Sequence, residues 1–314
     1  MSVSAEPRLA ARIAWYHFQE GLTQSAIAEK VGLSRARVNQ IIGELRASGA
    51  VQLRINTPHG PCVEMEAALK ERFGLAEVIV VPAPAPETDV RRVTGMAAGH
   101  FLSETINDGD VVGVGWGGTI DAAASAITRK NGRRNTVVSF CGGFPRSTPV
   151  NPYDVAARFA RILQGPCYYV TAPMFADDKG IRDALVSSGS VRETFDQVRK
   201  VDVALVSAVD LTPRSRSVEY GLVSEELRRS LLAAGAVGDI CGHYLTADGD
   251  TVAHEVTERI VAPPIDDLLV IPHLVLASGG EAKVPVILAA LRRGLAHTLI
   301  IDENAASELL ELAK

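Results

Sequence analysis

The run LTQSAIAEKVGLSRARVNQIIGELRASGAVQLRI, Leu22 to Ile55, holds two short helical segments separated by a glycine and a strand-like tail. Thr23 is placed to cap the first segment, whose Ile27 and Val31 fall on one side. Gly32 supplies a tight turn, Leu33 points inward, and Ser34 caps a second segment from Arg35 to about Ser48. In that segment Val38, Ile41, Ile42 and Leu45 repeat as one apolar stripe. Ala36, Arg37, Asn39, Gln40 and Gly43 are left on the outer side. Arginine matches the acceptors of guanine, and asparagine or glutamine the acceptor and donor of adenine, in the major groove. Ala36 and Gly43 are small enough for the helix to lie close to a groove floor. Thr23, Gln24 and Ser34 sit at helix starts, where hydroxyls, amides and backbone N–H groups can hold phosphates. Upstream, Arg8 to Glu20 reads as a further helix ended by Gly21, and downstream Ser48–Asn56 alternates like a short wing strand. The pattern predicts a winged helix-turn-helix that binds double-stranded DNA.

Charge points the same way. The 314-residue chain carries −5, but residues 1–56 hold seven Lys/Arg against four Asp/Glu, a net +3, which leaves −8 for the rest. A basic head on an acidic body suits a polyanion-binding module attached to something else. Hydrophobic residues make up 47% and charged residues 22%, which argues for a globular chain rather than long disorder. No apolar run approaches the ~18 residues of a membrane span, and the N-terminus lacks a signal pattern, so a cytoplasmic protein is expected. Cys62, Cys141, Cys167 and Cys241 have no metal-ligand spacing, and neither a metal nor a cofactor is expected.

Pro58-His-Gly-Pro61 breaks regular structure, which predicts a head over 1–57 and a larger domain over 58–314, with a helix from about Cys62 to Phe73. Strands are expected at 77–82, 111–115, 136–140, 168–171, 203–209, 268–276 and 297–302, with helices between them. Continuous apolar strands alternating with helices indicate an α/β domain with a mostly parallel sheet. Ligands of such sheets bind at loops leaving the carboxyl ends of the strands. Four loops are candidates. Gly113-Val-Gly-Trp-Gly-Gly-Thr119 offers Gly115, Gly117, Gly118 and Thr119 as an anion cradle at a helix start. Cys141-Gly-Gly-Phe-Pro-Arg146 offers Gly142, Gly143 and a phosphate-binding Arg146. Ala236-Val-Gly-Asp-Ile240 offers Asp239 to sugar hydroxyls, and Ser278-Gly-Gly-Glu-Ala-Lys283 offers Lys283 to a phosphate or sugar oxygen. Tight turns, an exposed arginine and a turn-capping acid are the plainer readings of the same residues.

The Leu22–Ile55 run resembles the head of the SorC/DeoR-type sugar-sensing regulators. By that resemblance Ser34, Arg35, Arg37, Asn39 and Gln40 face bases and phosphates. The likeness extends along the chain through VGVGWGGTI, NPYDVAARFARILQG, GAVGDICGHYLTADG, HEVTERIV and LASGGEAKVPVILAALRRGLAHTLIIDENAASELL. It implies a body related to the sugar-phosphate isomerases and deaminases, an effector pocket at the strand ends, and a homotetramer. Gly115, Gly117, Gly118 and Thr119 match its phosphate-cradling loop, and Asp239 and Lys283 match pocket-lining positions. At the strand end Val-Ser-Ala-Val-Asp210 the chain departs from the family's glycine-containing pattern. That departure and the Cys141-Gly-Gly loop leave the effector open between a phosphorylated sugar, a polyol and an unphosphorylated sugar.

The favoured expectation is a regulator of a sugar or polyol catabolic operon whose DNA affinity follows an effector. An isomerase or deaminase carrying a DNA-binding head is the alternative. It would need a positioned acid/base pair beside the glycine loop, and Asp210, Asp239, His243, His254, Glu255 and Lys283 form no recognisable one. A constitutive DNA-binder whose body only oligomerises is the third reading.

Overall fold

The computed structural model describes residues 7–51, 60–128, 134–145, 148 and 150–313. Its internal packing separates two units, Met1–Thr57 and Pro58–Lys314. In the first, α1 (Pro7–Phe18), α2 (Gln24–Val31) and α3 (Arg35–Ala47) enclose a small core of Ile13, Ile27, Ala28, Val38, Ile41 and Ile42. Gly32 takes φ 69°, the left-handed conformation that the turn between α2 and α3 requires. The wing residues from 52 onward, up to 59, lie outside the described residues, as does Arg146.

The second unit runs α4 (Gly60–Phe73), β1 (Glu77–Val81), α5 (Val90–Thr105), β2 (Val111–Val114), α6 (Gly118–Ala126), β3 (Thr136–Gly143), α7 (Pro152–Leu163) and β4 (Cys167–Pro173). It continues through α8 (Lys179–Ser187), α9 (Gly189–Val198), β5 (Val203–Val206), β6 (Ala208–Asp210), α10 (Arg216–Glu219), α11 (Glu225–Ala233), β7 (Ala236–Ile240) and β8 (His243–Thr246). It closes with α12 (Ile265–Leu269), β9 (His273–Ala277), α13 (Val284–Arg293), β10 (Thr298–Asp302) and α14 (Glu303–Leu312). Seven strands form one parallel sheet in the order β1-β10-β9-β5-β2-β3-β4. Apolar clusters cover both faces, one centred on Phe140, Leu276 and α13, the other on Val114, Leu205 and Phe159. Chain order reverses beside β2, and the loops leaving β2 and β5 open at that crevice. Helix α5 locks α6 in place there. A Cβ at Gly95 would fall on the Thr119 carbonyl, and one at Gly99 on the Ala123 carbonyl, so the two backbones meet directly.

The strands depart from the sequence expectation at several places. Cys141–Gly143, expected as the start of a ligand loop, continues β3, because these residues pair with β4, and His243–Thr246, not expected as a strand, is β8. The run 203–209 is two strands: β5 ends at Val206, Ser207 turns the chain, and β6 joins β7 and β8 in a separate antiparallel sheet. Ala236–Ile240, expected as a ligand loop, is therefore strand β7. Within 268–276 only His273 onward is strand, because Asp266 and Asp267 start the helical turn α12 and Pro272 ends it.

Candidate functional site

In the head, Thr23 and Ser34 act locally as caps. Thr23 Oγ1 accepts the Ala26 N–H at 3.2 Å, and Ser34 Oγ accepts the Arg37 N–H at 3.2 Å. The outer side of α3 presents Ala36, Asn39, Gln40 and Gly43, all exposed, with Arg35 at its first turn. Gln24, the first residue of α2, donates its amide N–H to Asn39 Oδ1 at 3.0 Å. Gln40 donates to Glu44 at 2.9 Å. Arg37 lies beside this surface and is half-buried.

In the body, a cleft opens where β2 and β5 end. Its lining includes Trp116, Gly117, Gly118 and Thr119 from the β2–α6 loop, and Ser207–Asp210 from the chain crossing between sheets. Arg91, Lys283 and the segment Arg214–Arg216 complete it, around about 70 Å³, room for about five waters. Gly117 adopts φ 109°, and as the N-cap of α6 it brings no side chain to the first N–H groups of that helix. A helix start of this kind concentrates roughly half a positive charge on donors facing outward. Two buried polar atoms of the lining, Thr119 Oγ1 and Trp116 Nε1, have no hydrogen-bond partner. Unpaired buried groups of this sort are costly unless something else fills the site.

The charged groups are unequally engaged. Arg91 pairs with Asp89 at 2.7 Å and Arg216 with Glu219 at 2.5 Å. Lys283 has no ion pair among the described residues, and desolvation lowers its pKa to about 8 against the pull of Asp210. Asp210 accepts the N–H and hydroxyl of Thr212 on Oδ1, which leaves Oδ2 for another donor. Cation and carboxylate thus face one small polar space, suited to an anionic group at one end and hydroxyls at the other.

The proposed loop residues separate. Gly117, Gly118, Thr119 and Lys283 line the cleft, whereas Gly115 does not, and a Cβ there would stand 3.0 Å from Cys241 Sγ. Gly142 and Gly143 are packing positions: a Cβ would meet Pro173 in the first case and the Tyr153 ring in the second. Asp239 is not among the lining residues. It is buried in β7, accepts the Gly242 N–H at 2.9 Å, and is pushed up to about 7 by that burial. Sequence reading missed Arg91, Arg214, Ser215 and Arg216 as lining residues, since nothing in their spacing marks them, and passed over Trp116 although it stands inside the glycine loop. Cys141 and Cys241, a hundred positions apart in sequence, are both buried, and the Cys241 side chain together with burial pushes the Cys141 thiol up. Among the described residues no group of metal-ligating side chains forms, and no helix is long and apolar enough to cross a membrane.

Residues 58–311 match the sugar-binding domain family, and residues 19–52 match the winged helix-turn-helix DNA-binding family. The erythritol catabolism regulatory protein EryD of Brucella abortus is 30% identical over 98% of this chain and 97% of its own. The transcriptional regulator LsrR of an Enterobacter species is 30% identical, covering 98% and 94%. The sorbitol operon regulator SorC of Klebsiella pneumoniae shares the fold at TM-score 0.76 and 24% identity, over 98% of this chain and 99% of that one. A DeoR family transcriptional regulator of Listeria monocytogenes superposes at TM-score 0.73 and 25% identity, over 79% of this chain and 99% of that one.

Proposed function

As the chain belongs to the SorC/DeoR-type family of sugar-binding transcriptional regulators, we propose that a small phosphorylated sugar or polyol fills its body cleft and sets the affinity of its head for operator DNA. It is a transcriptional regulator rather than an enzyme, as its relatives are. The carrying observation is the Thr119 hydroxyl at the uncapped start of α6, with Lys283 in the same cleft, neither of them partnered among the described residues. A phosphate would take hydrogen bonds from the α6 N–H groups and Thr119 and a charge-assisted bond from Lys283. Asp210 Oδ2 would accept from effector hydroxyls. An unphosphorylated polyol is the second reading, favoured by Arg91 and Arg216 already being neutralised by Asp89 and Glu219.

In the head, Thr23, Gln24, Ser34, Arg35, Arg37, Asn39 and Gln40 form the proposed DNA-facing set. Residues 1–57 serve as DNA-binding domain and 58–314 as effector and oligomerisation domain. A cytoplasmic homotetramer is proposed, for which exposed Val63, Val270 and Leu312 supply apolar surface. Symmetric pairing of heads then calls for palindromic half-sites whole helical turns apart.

Thermal melting of the full chain against sugars, sugar phosphates, polyols and inorganic phosphate tests the site. A ligand at a hundred times its Kd should add about 2.7 kcal/mol. Stabilisation by phosphorylated compounds that Lys283→Met abolishes supports the first reading, and stabilisation by free polyols alone the second. Silence across the panel, with DNA binding intact, would leave a constitutive DNA-binder.

A further inference from the structure

We propose that Asn39 reads an adenine in each operator half-site, with Gln24 as the positioning residue that fixes its amide for the task. The proposal rests on the reading of the head as a DNA-binding module and goes beyond it, to one residue and one base. Asparagine recognises adenine through two bonds at once: Oδ1 accepts from the adenine N6 amino group while Nδ2 donates to N7. An exposed asparagine ordinarily samples several rotamers and both amide orientations. Here Gln24 Nε2 donates to Asn39 Oδ1 at 3.0 Å across the α2–α3 junction, from a half-buried glutamine to an exposed asparagine fifteen positions away. The bond occupies one of the two lone pairs of Oδ1. It leaves the other lone pair and both Nδ2 protons free, which is the pattern that adenine complements.

Three neighbouring features converge on Asn39. Its flanks along the outer side of α3, Ala36 and Gly43, are short, and a Cβ on Gly43 would meet nothing within 4 Å. Among the described residues nothing packs against that glycine, although a mid-helix glycine costs stability relative to alanine. Gln40, the competing amide on the same side, is already donating to Glu44, whose carboxylate faces the polyanion unfavourably. Gln24 is itself held at the start of a helix whose N-cap, Thr23, is formed by its own side chain. The buttress is therefore anchored to the backbone of α2, and its partner to α3.

The test is selection of bound duplexes from a random DNA pool by the full chain, repeated with Asn39→Ala and with Gln24→Glu. Gln24→Glu keeps the shape but cannot donate to Asn39. The wild type should enrich a motif with an adenine column in each half-site. Placing guanine in that column should weaken binding about 5- to 150-fold, the range for one lost bidentate pair, and 7-deazaadenine, which lacks only the N7 acceptor, should weaken it less. Asn39→Ala should flatten that column alone, and Gln24→Glu should weaken the same column while leaving the other base preferences in place. An adenine column that survives Asn39→Ala overturns the assignment. A column unchanged by Gln24→Glu overturns the positioning role of Gln24. Enrichment of no motif by a folded wild type overturns the reading of the head as a sequence-specific module, and the adenine assignment with it.

Discussion

At Thr119 a buried hydroxyl without a partner stands on the first turn of α6, and removing it should separate folding from binding. Thr119→Val keeps the shape and deletes the unsatisfied group. The ligand-free variant is expected to gain roughly 1 kcal/mol in denaturant melts while losing most of its response to the effector. Asp239 makes a pH prediction. Well below pH 4, its carboxyl is protonated both folded and unfolded. As pH rises, the unfolded carboxyl ionises while the buried one keeps its proton to about 7, so stability falls across that window. Asp239→Asn should therefore gain nothing from this term near pH 3 and exceed the wild type at pH 8 by up to about 4 kcal/mol, at about 1.4 kcal/mol per pH unit. Lys283 runs the other way. Lowered to about 8, it contributes stability present above its unfolded value of 10.5 and lost as pH falls through about 8. For the same reason the affinity of a phosphorylated effector should drop as pH rises through about 8, which titration calorimetry at pH 7 and pH 9 would measure. The four residues legible as pocket groups, Gly117, Gly118, Thr119 and Lys283, sit where a strand end gives way to a helix: the first three at the start of α6, and Lys283 immediately before α13. Asp239 was misplaced because its sequence, Gly-Asp-Ile, reads equally as a turn or a strand, and only the pairing with β6 and β8 decides.

Among the elements, α3 carries its reading surface in plain sequence, since an apolar stripe of period 3.6 leaves the outer residues fixed by subtraction. Gly43→Ala is expected to stabilise the head by about 0.5–1 kcal/mol and to weaken operator binding, because a methyl would stand between the helix and the groove. Paired melts and anisotropy titrations check the two effects, and a variant that binds DNA as tightly as wild type would remove the close-approach explanation. The parallel strands were legible for a similar reason: fully buried runs such as Val203–Val206 have no polar alternation to obscure them. The β5–β6 break was not, because Val203–Val209 is one apolar run and Ser207, the switch, is itself buried. The segment Arg214–Arg216 reached the cleft only through that switch, so its part in the lining could not be read before the topology was known.

For the whole molecule, two separately packed units must exchange free energy if the cleft is to govern the head. A coupling of about 1–3 kcal/mol is typical and corresponds to a 5- to 150-fold change in affinity. Reciprocity requires operator DNA to change effector affinity by the same factor. The basic head on an acidic body also predicts strongly salt-dependent operator binding, with affinity falling steeply as salt rises. The central claim, control of the head by the cleft, is tested most directly by operator affinity of the full chain, measured with and without the ligand that raises its melting temperature. The expected result is a change within that 5- to 150-fold range in the wild type and none in Lys283→Met. A ligand that saturates the cleft and stabilises the fold, yet leaves operator affinity unaltered, would contradict it.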